Sequence, residues 1–182
     1  MARNWRERGI QWHFADAYSE RPTARGSRRH GMDRISGDRS TWTIPASRAK
    51  NGASHIVPLS RQAQDMLFAM PRFGELVFPG LRGVFSGWGK AKATLDVRAG
   101  VADWRLHDLR RTTATGLQRL GVRLEVTEAI LNHISGSRAG IVGIYQRHDW
   151  NAEKRTALDA WGEHVLAIVE GRPVASNVAV LR

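Results

Sequence analysis

Apolar side chains recur at helical spacing through the middle of the chain, where Leu106, Leu109, Thr113, Leu117 and Leu120 share one face and Gly121 follows as a stop. The pattern predicts a helix with one buried face, and it sets His107 and Arg110, three positions apart, beside each other on another face. A second run, Val126, Ile130 and Ile134, predicts a helix over residues 123–132 that leads into His133. After a polar, glycine-bearing stretch, Ile141, Val142 and Ile144 predict a short apolar helix presenting Tyr145. Leu158, Trp161, Val165 and Ile168 form the stripe of a last helix, capped by Asn151 and ended by Gly171 and Pro173.

The first half of the chain changes period. Residues 40–44 alternate and are β-branched, residues 55–59 are a second short apolar run, and Lys50-Asn51-Gly52 lies between them. This predicts an antiparallel β-hairpin in which Pro58 suits an edge strand. Ser60 is placed to cap a helix through Ala63, Met66 and Leu67 that Pro71 terminates. Residues 75–80 read as strand or turn, and residues 84–97 as a helix weakened by glycine, with Lys90 and Lys92 exposed and Trp88 and Leu95 facing the core. The expected fold class is therefore mixed, mainly α-helical, with a small antiparallel hairpin towards the N-terminal part. Residues 1–25 scatter Trp5, Trp12, Phe14 and Tyr18 without a period and form an irregular segment, residues 26–170 form one domain, and residues 171–182 a flexible tail.

Charge narrows the partner. The 182 residues carry 28 Lys plus Arg against 17 Asp plus Glu, a net charge of +11, which suits nucleic acid, although a basic chain is also simply a soluble one. The chain has no cysteine, which removes disulfides, thiol nucleophiles and zinc ribbons. No apolar run of about 18 residues occurs and the start lacks the apolar core of a signal peptide, so no membrane partner is expected and the cytoplasm is the default location.

The chemistry open to the central residues is narrow. The guanidinium of Arg110 is a planar fork of donors matched to two non-bridging phosphate oxygens. His107 and His133 can donate hydrogen bonds or move protons near neutral pH, and the hydroxyl of Tyr145 is a nucleophile once a neighbour takes its proton. The order His107-Asp-Leu-Arg110-Arg-Thr, then Leu131-Asn-His-Ile-Ser-Gly-Ser-Arg-Ala-Gly140, then Tyr145-Gln-Arg-His-Asp149 resembles the catalytic domain of tyrosine recombinases of the phage-integrase type, as found in prophages and genomic islands. Gly26-Ser-Arg28 resembles that family's first arginine motif, shortened by a few residues, and Lys50 matches the lysine near the tip of its hairpin.

The resemblance implies the tyrosine-recombinase catalytic fold and strand exchange on DNA without metal or other cofactor. Tyr145 would join the DNA 3′-phosphate, Arg28 and Arg110 would hold the non-bridging oxygens, and Lys50 would protonate the leaving 5′-oxygen. His107 would exchange a proton with Tyr145, and His133 would donate to phosphate. Arg111, Arg138 and Arg147 would contact DNA. Attachment-site duplexes, further copies of the chain assembled on DNA and accessory DNA-bending proteins are the implied partners. The family's separate DNA-clamping domain has no room here, which keeps open a remnant that binds DNA without cutting it. A metal-dependent nuclease built on His107, His133 and His148 is the third reading, disfavoured because no tight His-x-x-x-His or carboxylate pairing accompanies these histidines. Taken singly, each residue also has a plainer role: His107 at a helix start, His133 bonding helix-end carbonyls, Tyr145 in a core, Lys50 as a solvated charge.

Overall fold

A computed structural model describes residues 31–49, 51–70, 74–80, 83–85, 87–133 and 148–174. Within them the chain is mainly helical with a small antiparallel sheet, as the periodicities require. Strand β1 (Thr41–Ile44) pairs with β2 (His55–Pro58), Trp42 opposite Val57 and Ile44 opposite His55. The pleat sends Ile44 and Val57 into the core while Thr43 and Ile56 face outward, the alternation expected of a half-buried hairpin. Pro58 closes β2 opposite Thr41.

Helix α1 (Arg61–Ala69) follows at once, and the hydroxyl of Ser60 accepts the Ala63 N–H as its cap. A two-residue ribbon, β3 (Pro79–Gly80) with β4 (Gly83–Val84), precedes α2 (Trp88–Ala99). The remaining helices are α3 (Leu106–Arg119), α4 (Leu124–Ile130) and α5 (Asn151–Glu170). Helix α5, about 30 Å long, is the spine: it packs against β2, α1, α3 and α4. The core at this crossing consists of Ile44, Val57, Leu117, Val126, Ile130, Ala157 and Leu158, with Trp42, Trp150 and Trp161 closing its edges.

Two close approaches set how α5 sits. Gly116 of α3 lies against the ring of Trp161, and Gly162 of α5 against the side chains of Gln62 and Ser60. Lys154, 4% exposed, reaches from α5 to the outer edge of the hairpin and donates to the Ile56 carbonyl at 2.7 Å. Burying that ammonium requires such an acceptor.

Several expectations need correction. Helix α2 begins at Trp88 rather than at residue 84, because Val84 is paired in β4, and none of its residues is fully buried. Lys92 is not a free surface charge: it holds Asp96 at 2.7 Å and lies over the Trp104 ring. In α3, Leu106, Leu109 and Leu120 are only half-buried; Thr113, Gly116 and Leu117 take the core, because the contact with α5 is centred on Gly116. Helix α4 stops at Ile130, two residues early. The cap position of α5 is Trp150, in the left-handed region, and Asn151 is the first helical residue, its N–H bound by the Asp149 carboxylate. Ile168 is 58% exposed, and in that turn it is Ala167, outside the expected stripe, that is buried. No helix among the described residues is long and apolar enough to cross a membrane.

Candidate active site

The candidate site forms where α4 ends. The Asn132 N–H donates to the Ala129 carbonyl and the His133 N–H to the Glu128 carbonyl, with Asn132 at φ 51°. These two bonds close α4 in the Schellman manner, and asparagine is the side chain that tolerates the left-handed conformation when glycine is not used. Helices α3 and α5 end by the same pair of bonds but with Gly121 and Gly171 at that position. The difference leaves α4 with a side chain at its turn.

That side chain is used. Asn51, at the hairpin tip, donates from Nδ2 to Asn132 Oδ1 at 2.8 Å. One residue earlier, the Leu131 carbonyl accepts from Nη2 of Arg110. One residue earlier again, the Ile130 carbonyl lies 3.3 Å from Nε2 of the buried His55 in β2. Three successive residues at the negative end of α4 are thus held by the hairpin tip, by α3 and by the hairpin's second strand. Cationic and N–H donors belong at the carbonyl end of a helix, where the last turn lacks intrahelical partners.

The start of α3 is organised by Asp108. Its carboxylate accepts the Arg105 N–H at 2.8 Å and pairs with Arg111 at 3.0 Å. The Arg105 N–H first, and the Arg111 guanidinium after it, hold the Asp108 carboxyl below its ordinary range. An anion is favourable at that helix end. On the far side of the segment 134–147, His148 holds Glu153 at 2.8 Å and meets the Trp150 ring edge-on, and Arg123, at the start of α4, lies 5.1 Å from the same ring. Its own backbone N–H first, and His148 after it, keep the Glu153 carboxyl below its usual value.

Of the residues singled out from sequence, Arg110 is half-buried at the centre of this junction, His133 is exposed on the turn that closes α4, and His107 is exposed on α3, three positions before Arg110. Arg111 is exposed beside Asp108. Arg28, Lys50, Tyr145, Arg138 and Arg147 lie outside the described residues, as does the predicted helix over residues 141–145. His107, His133 and His148 are not assembled into a metal-holding group, and no three His, Asp or Glu side chains are, among the described residues. Nothing in the sequence pattern marks Asn51 or His55 as part of this junction. Asn132 was open to inference, since asparagine straight after a helical run marks a left-handed turn.

The chain is similar to the prophage integrase IntA of Escherichia coli, with 30% identity over 157 residues, taking in 82% of this chain and 37% of that protein. The chain thus spans little more than a third of that relative's length. No family model and no solved structure matches the chain.

Proposed function

Because this chain belongs to the phage-integrase family of tyrosine recombinases, we propose that residues 26–170 are the catalytic domain of a site-specific DNA recombinase that cuts and rejoins strands through a 3′-phosphotyrosine intermediate. The observation that carries this reading is the bond from Arg110 to the Leu131 carbonyl. It joins the helix carrying His107 and Arg110 to the turn carrying His133, which supports a site shared by the Arg110 guanidinium and the His133 imidazole.

In the reaction, the Tyr145 hydroxyl oxygen bonds to phosphorus and the bond from phosphorus to the 5′-oxygen breaks. His107 takes the phenolic proton, and the Lys50 ammonium gives one to the departing 5′-oxygen. Arg28, Arg110 and His133 stabilise the charge on the non-bridging oxygens of the pentacoordinate state, where preorganised donors contribute most. A second strand's 5′-hydroxyl then attacks the phosphotyrosine and restores the diester. The ester bond is exchanged rather than hydrolysed, so no nucleotide cofactor is consumed. Arg111, Arg138 and Arg147 contact backbone phosphates of the attachment-site duplex, on which copies of the chain and accessory bending proteins assemble. The net charge of +11 supports such a partner.

A nicked suicide duplex tests the reading. The expected product is a covalent protein–DNA adduct that survives denaturant, forms in EDTA and is absent in Tyr145→Phe. Binding without any adduct, or cleavage that EDTA abolishes, would overturn it.

A further inference from the structure

We propose that Asn51 and Asn132 are positioning residues for the strand-cleavage step, a clasp that keeps the hairpin tip in register with the turn carrying His133; this rests on the recombinase reading above. The two side chains meet at 2.8 Å across 81 positions of sequence. Each stands on a turn that is already fixed. Asn51 Oδ1 accepts the Ala53 N–H at 3.1 Å, closing a turn over Gly52, and Asn132 is locked by the two bonds that end α4. The contact therefore joins two defined turns. In sequence, Lys50, the proposed acid for the 5′-oxygen, directly precedes Asn51, and His133, the proposed donor to phosphate, directly follows Asn132.

His55 alone would hold only the base of the hairpin, through the Ile130 carbonyl. The tip lies beyond that anchor; Ala49 packs on the core there, and the Asn51–Asn132 bond adds a directional hold to the end of α4. A half-exposed amide pair contributes little to global stability, so the main consequence of losing it falls on placement. A displacement of about 1 Å at a reacting group costs on the order of 10²-fold in rate.

Asn132→Gly separates the clasp from the turn, because glycine adopts the left-handed conformation at least as readily and lacks the acceptor. Asn51→Ala removes the donor from the other side. Both are to be compared with the wild-type chain in single-turnover cleavage of two nicked duplexes. One carries the ordinary bridging 5′-oxygen; in the other sulfur replaces it, and the thiolate leaves without needing a proton.

The expected result is an unchanged unfolding midpoint for Asn132→Gly, with cleavage of the oxygen ester roughly 10–100-fold slower in both variants and cleavage of the sulfur ester close to wild type. The double variant should be no slower than either single one, since both remove the same contact. Wild-type rates for Asn132→Gly on the oxygen ester, or equal slowing on both esters, would overturn the clasp alone. A wild-type chain that forms no adduct with either duplex would overturn the recombinase reading and the clasp with it.

Discussion

Gly116 of α3 lies beneath the indole of Trp161 on α5, so closely that a Cβ at position 116 would stand 2.0 Å from the ring. Helix propensity alone favours alanine there by about 1 kcal/mol. The clash outweighs it, because the indole is packed against the core and stacked on His164. Gly116→Ala is expected to destabilise the fold by about 1–3 kcal/mol, read as a lower urea midpoint with a changed tryptophan emission. Gly162→Ala meets only the end of the flexible Gln62 side chain and the Ser60 hydroxyl, at 2.2 and 3.0 Å, and should cost less. Equal losses at the two positions would contradict this account of the α3–α5 crossing.

Arg110 separates charge from geometry. Arg110→Lys keeps a cation but loses the planar fork, so single-turnover cleavage should fall by about 10²–10³ while duplex binding changes little. Arg110→Ala should add a stability loss of about 1 kcal/mol by releasing the Leu131 carbonyl. A lysine variant cleaving at the wild-type rate would remove the fork from the mechanism.

Acid should loosen the approach to β1. Asp38 Oδ1 accepts the Ser36 hydroxyl at 2.5 Å and the Ser40 N–H at 3.0 Å, and these bonds, the hydroxyl's first, lower its pKa from 3.8 to about 2. The folded state binds that proton less readily than the unfolded chain, so the contribution is complete above pH 3.8 and is lost as the pH falls towards about 2. Urea midpoints measured across that window should decline less steeply for Asp38→Asn than for the wild-type chain. Parallel declines would place the acid sensitivity elsewhere, for instance at Asp108 or Asp149, whose carboxyls backbone N–H groups also hold low.

Much of the architecture was legible in local pattern. The serine before α1, the glycines after α3 and α5, and the alternation of β1 and β2 act over a few residues, and all stand where their spacing put them. The mainly helical fold with its β1–β2 hairpin followed from the same periods. Where local rules competed, they misled. The apolar character of Val84 extends the expected helix through what is a two-residue strand, and Asn151 has the side chain of a cap although Asp149 does that work from outside the helix.

For the site, the residue types and order of His107, Arg110 and His133 sufficed to name a chemistry, because phosphate-binding forks and near-neutral proton carriers are properties of single side chains. Their arrangement was another matter. That Arg110 would be aimed by the Leu131 carbonyl, that His55 would take the Ile130 carbonyl, and that an asparagine 81 positions away would take Asn132 depend on how the hairpin and α3 dock around the end of α4. Such contacts answer to the burial of Ile44, Val57, Leu117 and Ile130 in one core. No spacing along the chain encodes which polar groups that burial will bring together.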